Sequence, residues 1–137
     1  MLMLLSVFMF IVTGCTPKGT QSQSPSPGST AQVQEKPKIQ NIGIEQFKQL
    51  MGKEDAVVLD VRTPREIAAG KIEGALEIDV NGDQFDTKIQ ELDEEKTYLV
   101  YCKAGARSAR ACQKMEAQGF NILYNLEGGY DAWGVEN

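Results

Sequence analysis

The chain has 137 residues, 42% of them hydrophobic and 24% charged, values that are ordinary for one compact globular core. Its net charge of −5 argues against nucleic acid as a partner, because basic surfaces meet phosphate backbones. The absence of histidine excludes Ser-His-Asp and Cys-His catalysis, and three cysteines are too few for a disulfide framework. No two cysteines have the spacing of zinc ligands, so we expect neither a metal nor a cofactor.

The first segment of the chain predicts a lipoprotein signal peptide over residues 1–14. Met1 to Val12 is almost wholly apolar but shorter than the roughly 20 residues that a spanning helix needs, which is typical of a signal-peptide core. The sequence Val12-Thr13-Gly14-Cys15 resembles the lipobox of bacterial lipoproteins, in which the cysteine is lipidated and becomes the N-terminus. We therefore expect Cys15 to anchor the protein to a cell membrane on its extracytoplasmic face. The alternative is a buried N-terminal helix.

Residues 15–38 differ in composition from the rest of the chain. This stretch is rich in Ser, Gln, Pro, Thr and Gly and holds almost no large apolar side chain, so it cannot bury enough surface to offset the entropy of ordering. We expect a flexible tether, followed by a folded domain over residues 39–137.

The domain alternates short apolar runs with helical patterns. The β-rich apolar runs are typical of strands covered on both faces, and Pro64 and Gly119 suit a helix start and a helix end. Alternating strands and helices predict an α/β sandwich of three layers, with a central parallel sheet and ligands at the carboxyl ends of its strands. The predicted strands are Ala56–Leu59, Ala75–Ile78, Tyr98–Tyr101 and Ile122–Tyr124, and the predicted helices are Ile44–Met51, Pro64–Ala69, Phe85–Leu92 and Ser108–Gln118.

Charge is unevenly spread along this domain. Nine acidic residues and two lysines lie between Glu73 and Lys96, whereas Cys102 to Met115 contains four cations and no acid. The most cationic stretch of the domain therefore surrounds a cysteine that directly follows a predicted strand.

Cys102 begins a short loop that leads into a predicted helix, and this position suits a nucleophile. A thiol reacts as its thiolate, and its pKa falls at a helix N-terminus or beside cations. Backbone amides of such a loop can form an anion-binding concavity, and Arg107 and Lys103 offer positive charge. The loop could thus hold a thiolate, a persulfide or an oxyanion. The alternative is that Cys102 is only a small buried hydrophobic residue. Cys112 lies among apolar residues within the next helix, so a core-packing role is favoured for it over that of a resolving thiol.

Four segments in order resemble the rhodanese family and cover nearly all of the domain. They are Leu59-Asp60-Val61-Arg62-Thr63-Pro64-Arg65-Glu66, Gly70-Lys71-Ile72-Glu73-Gly74-Ala75, Cys102-Lys103-Ala104-Gly105-Ala106-Arg107 and Gly128-Gly129-Tyr130-Asp131-Ala132-Trp133. The resemblance implies a rhodanese fold and a sulfurtransferase, in which a cysteine takes a sulfane sulfur from an anionic donor such as thiosulfate. The sulfur then passes to a thiophilic acceptor, cyanide or a thiol.

The family's functional positions fall on specific residues of this chain. The resemblance implies that Cys102 is the nucleophile and that Lys103, Ala104, Gly105, Ala106 and Arg107 cradle the sulfur and the donor. Asp60 and Arg62 match positions near the loop, where they would form either a supporting charge pair or a structural ion pair. Gly128 and Gly129 suit a tight turn, and Trp133 is favoured as a core residue.

Two other functions compete with the sulfurtransferase. A phosphatase or arsenate reductase is disfavoured, because the loops of those related domains are one residue longer and would hold a larger tetrahedral group. A non-enzymatic module that carries sulfur, senses redox state or binds a partner stays open, since fold does not fix function. We expect a monomer that meets small sulfur compounds and the membrane, and no nucleic acid.

Overall fold

The computed structural model describes residues 38–135. The predicted signal peptide, the lipidated Cys15 and nearly all of the tether lie outside these residues and stay predictions. In chain order the elements are β1 (Ile39–Ile42), α1 (Ile44–Met51), β2 (Ala56–Asp60), α2 (Pro64–Ala68), β3 (Leu76–Glu77), α3 (Phe85–Ile89), β4 (Thr97–Tyr101), α4 (Ala106–Ala117), β5 (Ile122–Leu126) and α5 (Gly129–Val135).

The five strands form one parallel sheet in the order β1-β5-β4-β2-β3. This confirms the predicted α/β fold with a central parallel sheet and flanking helices. β4 is the middle strand, and all five of its residues are buried. β1 is not among the predicted strands, because its sequence Ile39-Gln40-Asn41-Ile42 places two polar residues between its apolar ends.

The alternation of side chains along β4 determines the face on which each residue lies. Tyr98 and Val100 belong to one core cluster, and Leu99 and Tyr101 belong to the cluster on the other face of the sheet. Successive strand residues point to opposite faces, so Cys102 continues the first series and lies in the first cluster. That cluster also contains residues of α4, whereas the second cluster receives residues of α1 and α5.

Three helices differ in extent from the prediction, and α2 does so only by ending at Ala68 rather than at Ala69. α4 begins at Ala106 rather than at Ser108, because Gly105 adopts a φ of 102° as its N-cap and leaves Ala106 and Arg107 free to be helical. α3 ends at Ile89 rather than at Leu92, because the chain tightens there into i to i−3 hydrogen bonds from the amides of Glu91 and Leu92. None of the helices within residues 38–135 is long and apolar enough to cross a membrane.

Candidate active site

Cys102 lies directly after the central strand and is almost fully enclosed. Its exposed fraction is only 1%, because its side chain points under the N-terminal turn of α4. The following residues Lys103, Ala104 and Ala106 are exposed, and Gly105 is buried. The side chain of Cys102 therefore lies beneath the loop, whereas those of Lys103, Ala104 and Ala106 face solvent.

The Sγ atom of Cys102 accepts hydrogen bonds from the loop and from α4. The amide of Gly105 donates to Sγ at 3.1 Å, and the hydroxyl of Ser108 lies 3.4 Å from Sγ. Burial raises the pKa of the Cys102 thiol, but the hydrogen bonds from Ser108 and from the amides of Gly105 and Ala104 outweigh burial, so the pKa lies below its ordinary value. The site thus stabilises a thiolate without histidine.

Ser108 is a site residue that the sequence did not indicate. It is fully buried, and its hydroxyl can donate either to Sγ of Cys102 or to the carbonyl of Gly105, 3.0 Å away. A hydroxyl carries one proton, so ionisation of Cys102 favours its donation to the sulfur. The sequence signal was a serine six residues after the cysteine, on the first turn of the helix, and this position alone was not specific.

Helix α5 supports the loop through backbone hydrogen bonds. The amides of Tyr130 and Asp131, at the start of α5, donate to the carbonyls of Cys102 and Lys103 at 2.8 and 3.0 Å. Gly129 makes this approach possible, because a Cβ at this position would lie 2.5 Å from the Cys102 carbonyl oxygen and its φ is +57°. Gly129 is therefore required by close contact with the loop as well as by the turn. With their carbonyls held by α5, the loop peptides can direct their amides toward Sγ.

Arg107 is not the free cation that the sequence suggested. Its Nη1 and Nη2 donate to Oε2 and Oε1 of Glu66 at 2.8 and 2.6 Å, forming a two-point ion pair. The hydrogen bonds from Arg107 hold the pKa of the Glu66 carboxyl down at about 2, so this carboxylate stays ionised across the usual pH range. Glu66 is not among the predicted site residues, although the spacing Thr63 to Glu66 is that of a capping box.

The other loop cations also differ in what they contact. Lys103 is exposed, and within the described part of the chain no carboxylate forms a salt bridge with it. Lys114 pairs with Asp86, and Arg110 donates to the side-chain oxygen of Asn81. Only part of the positive charge counted in the sequence is therefore available to a ligand at Cys102.

Asp60 and Arg62 form a buried ion pair. Nη2 of Arg62 lies 2.6 Å from Oδ2 of Asp60, and the exposed fractions of Arg62 and Asp60 are 3% and 0%. The hydroxyl of Tyr101 also donates to Oδ2 at 2.6 Å, and Nη2 of Arg62 donates to the carbonyl of Gly70 at 2.8 Å. Burial, together with the hydrogen bond to Asp60, raises the pKa of Tyr101, so its hydroxyl remains a donor. The pair thus ties the end of β2 to Tyr101, the last residue of β4 before Cys102.

A surface cavity of about 230 Å³ lies beside the loop. It is lined by Arg62, Glu66, Ala69, Lys103, Tyr130 and Asp131. The guanidinium of Arg62 lies 4.1 Å from the ring centre of Tyr130, and its charge is already balanced by Asp60. A ligand in this cavity would meet the ammonium of Lys103 and the carboxylates of Glu66 and Asp131.

Cys112 and Trp133 have the structural roles that were favoured for them. Cys112 is fully buried in the core, and burial raises the pKa of its thiol to about 12, so it is a poor resolving thiol. Trp133 packs against the second core cluster, with its ring edge-on to Phe47. Within residues 38–135, no three or more His, Cys, Asp or Glu side chains are grouped as metal ligands.

Comparisons with known proteins agree with this fold. The family model described as a rhodanese-like domain matches residues 43–136. A sulfurtransferase of Allochromatium vinosum is 35% identical over 96 residues, covering 69% of this chain and 88% of the relative. The thiosulfate sulfurtransferase GlpE of Pseudomonas putida is 39% identical over 89 residues, covering 65% of this chain and 79% of the relative. The crystal structure of a rhodanese-related protein from Thermoplasma volcanium is similar, with a TM-score of 0.63 and 31% sequence identity. The match covers 72% of this chain and 93% of that protein.

Proposed function

The chain belongs to the rhodanese-like domain family, and we propose that it transfers a sulfane sulfur through a persulfide on Cys102. The observation that carries this proposal is the enclosure of Cys102: the residue is 1% exposed, and its Sγ accepts hydrogen bonds from the loop amide of Gly105 and from Ser108. Enclosure of Sγ favours attack on a single terminal sulfur atom of a donor over transfer of a whole phosphoryl group. The same donors that stabilise its thiolate would stabilise a persulfide anion.

In the first half of the proposed reaction, the Cys102 thiolate attacks the outer sulfur of thiosulfate. A new S–S bond forms at Sγ, the sulfur–sulfur bond of the donor breaks, and sulfite leaves with the electron pair. The relative named as a thiosulfate sulfurtransferase supports this choice of donor. In the second half, cyanide or a thiolate attacks the outer sulfur of the persulfide, and the bonding electrons return to Sγ of Cys102.

No proton needs to be abstracted when Cys102 is already a thiolate, so the lack of histidine is consistent with this chemistry. The loop amides and Ser108 act before the reaction by favouring ionisation, and during it by holding a negative sulfur in a fixed position. Cys112 takes no part, because its buried thiol is protonated at neutral pH.

The test is the mass of the full-length protein after incubation with thiosulfate. We expect a gain of one sulfur atom, its loss on addition of cyanide, and the formation of thiocyanate. Cys102→Ser should abolish all three, whereas Cys112→Ser should retain them. If the wild-type protein gains no sulfur from thiosulfate, persulfides or polysulfides, the proposed sulfurtransferase activity is refuted and a partner-binding module is favoured.

We also propose that Cys15 carries a lipid and holds the domain at the extracytoplasmic face of a membrane. The lipobox-like sequence Val12-Thr13-Gly14-Cys15 and the apolar run before it support this proposal. A fatty acid supplied to growing cells should label the wild-type protein and leave Cys15→Ala unlabelled. Equal labelling of both proteins would contradict the assignment.

A further inference from the structure

We propose that Glu66 is a positioning residue that holds Arg107 and thereby limits the affinity of the Cys102 site for anionic sulfur donors. The inference rests on the proposed function and goes beyond it by assigning Glu66 control over the charge preference of the site. Its starting point is the two-point ion pair between Glu66 and Arg107, with distances of 2.8 and 2.6 Å.

Hydrogen bonds from Thr63 hold the carboxylate of Glu66 in place. Oε2 of Glu66 also accepts hydrogen bonds from the amide and the hydroxyl of Thr63, at 3.1 and 2.8 Å, and the hydroxyl of Thr63 caps the start of α2. Glu66 is therefore held by the helix start, and Arg107 is drawn toward it. A planar guanidinium that meets a carboxylate at both nitrogens has fewer donors left for another anion.

The Glu66 side of the ion pair lies at a cavity beside the loop, through which we expect a donor to approach. Glu66 lines the cavity of about 230 Å³ beside the loop, together with Lys103 and Asp131. The side chains of Arg107 and Glu66 are 26% and 29% exposed, so both charges face solvent as well as each other. A dianion that approaches Lys103 through this cavity would be repelled by the carboxylates of Glu66 and Asp131.

Arg107 still acts on the nucleophile, although Glu66 is its main partner. Hydrogen bonding to Glu66 is the largest cause of the raised pKa of Arg107, and attraction to Cys102 and to Asp79 adds to it. Asp79 is a second carboxylate that attracts the guanidinium of Arg107 electrostatically. Removal of the negative charge of Glu66 should therefore leave Arg107 more available both to a bound anion and to the Cys102 thiolate.

The variant Glu66→Gln is suited to the test, because glutamine also serves at this position of a capping box and should preserve the start of α2. A partly exposed ion pair contributes at most about 1 kcal/mol, so we expect the KM for thiosulfate to fall about two- to fivefold with little change in kcat. The matched control is Asp86→Asn, which removes one negative charge and the Lys114 ion pair at the opposite end of α4.

A second measurement does not depend on sulfur transfer. Iodoacetate and iodoacetamide are similar in size but differ in charge, and each alkylates a thiolate with loss of iodide. In full-length protein, the rate at Cys102 should rise for iodoacetate relative to iodoacetamide in Glu66→Gln, and it should not change in Asp86→Asn. Peptide-resolved mass spectrometry reads Cys102 separately from the other two cysteines.

The two measurements separate the two proposals. If no sulfur is transferred but the alkylation ratio rises in Glu66→Gln, the proposed function fails and the role of Glu66 stands. An unchanged ratio, or an equal change in Asp86→Asn, would overturn the role of Glu66 whether or not the protein transfers sulfur.

Discussion

Replacement of Ser108 by alanine tests how the site ionises Cys102. A hydrogen bond to a charged acceptor contributes about 1.5–3 kcal/mol, and one pKa unit corresponds to about 1.4 kcal/mol. The Oγ–Sγ distance of 3.4 Å is ordinary for a sulfur acceptor, but the hydroxyl has a second acceptor in the carbonyl of Gly105, so the lower end of that range applies. We expect Ser108→Ala to raise the pKa of Cys102 by about one unit. At a pH below both pKa values, the thiolate fraction would then fall about tenfold.

The assay is a titration of thiolate absorbance in the ultraviolet, with the same protein carrying Cys102→Ser subtracted, so that only Cys102 is followed. Cys112→Ala is the matched control, because it shortens a buried side chain on the same helix without removing a donor to Sγ. It should lower the free energy of unfolding and leave the pKa of Cys102 unchanged. A pKa in Ser108→Ala equal to that of the wild type would show that the loop amides alone stabilise the thiolate.

Two further substitutions test the supports of the loop. Asp60→Asn leaves the buried guanidinium of Arg62 without its counter-charge, so the free energy of unfolding in urea should fall by about 3 kcal/mol or more; a loss below about 1 kcal/mol would contradict this role. Gly129→Ala places a Cβ against the Cys102 carbonyl and should slow persulfide formation at least tenfold, as followed by mass. The control is Gly134→Ala in the same helix, where a Cβ meets no atom within 4 Å. Equal rates of persulfide formation in the two variants would contradict the requirement for glycine at position 129.

The structure shows which of two predicted sources of activation contacts the sulfur. The sequence predicted both inward-pointing backbone amides at a helix N-terminus and four cations after Cys102 with no acid among them. In the fold, Arg107 is paired with Glu66, while the Gly105 amide and the Ser108 hydroxyl donate hydrogen bonds to Sγ. Neutral donors at a helix start, oriented by α5, therefore contribute more directly to the thiolate than the loop cations do.

The sequence by itself determined the elements that rest on local pattern. Apolar runs predicted β2, β3, β4 and β5, and the order of strands and helices predicted a parallel sheet with the site at its carboxyl edge. Cys102 could be placed at the end of a strand because the apolar run stops at Tyr101. The burial of Cys112 followed from its apolar helix neighbours in the same way.

Only the tertiary structure decided which distant residues meet. Tyr101 and Asp60 are 41 residues apart and pair because β2 and β4 are neighbours in a register that places them side by side. Glu66 and Arg107 are also 41 residues apart, and their pairing depends on where α2 lies relative to α4. Strand order and register set these contacts, and hydrophobic periodicity carries no information about them. For this reason the sequence could predict Cys102 as the nucleophile, whereas only the fold shows which groups hydrogen-bond to its sulfur and to Arg107.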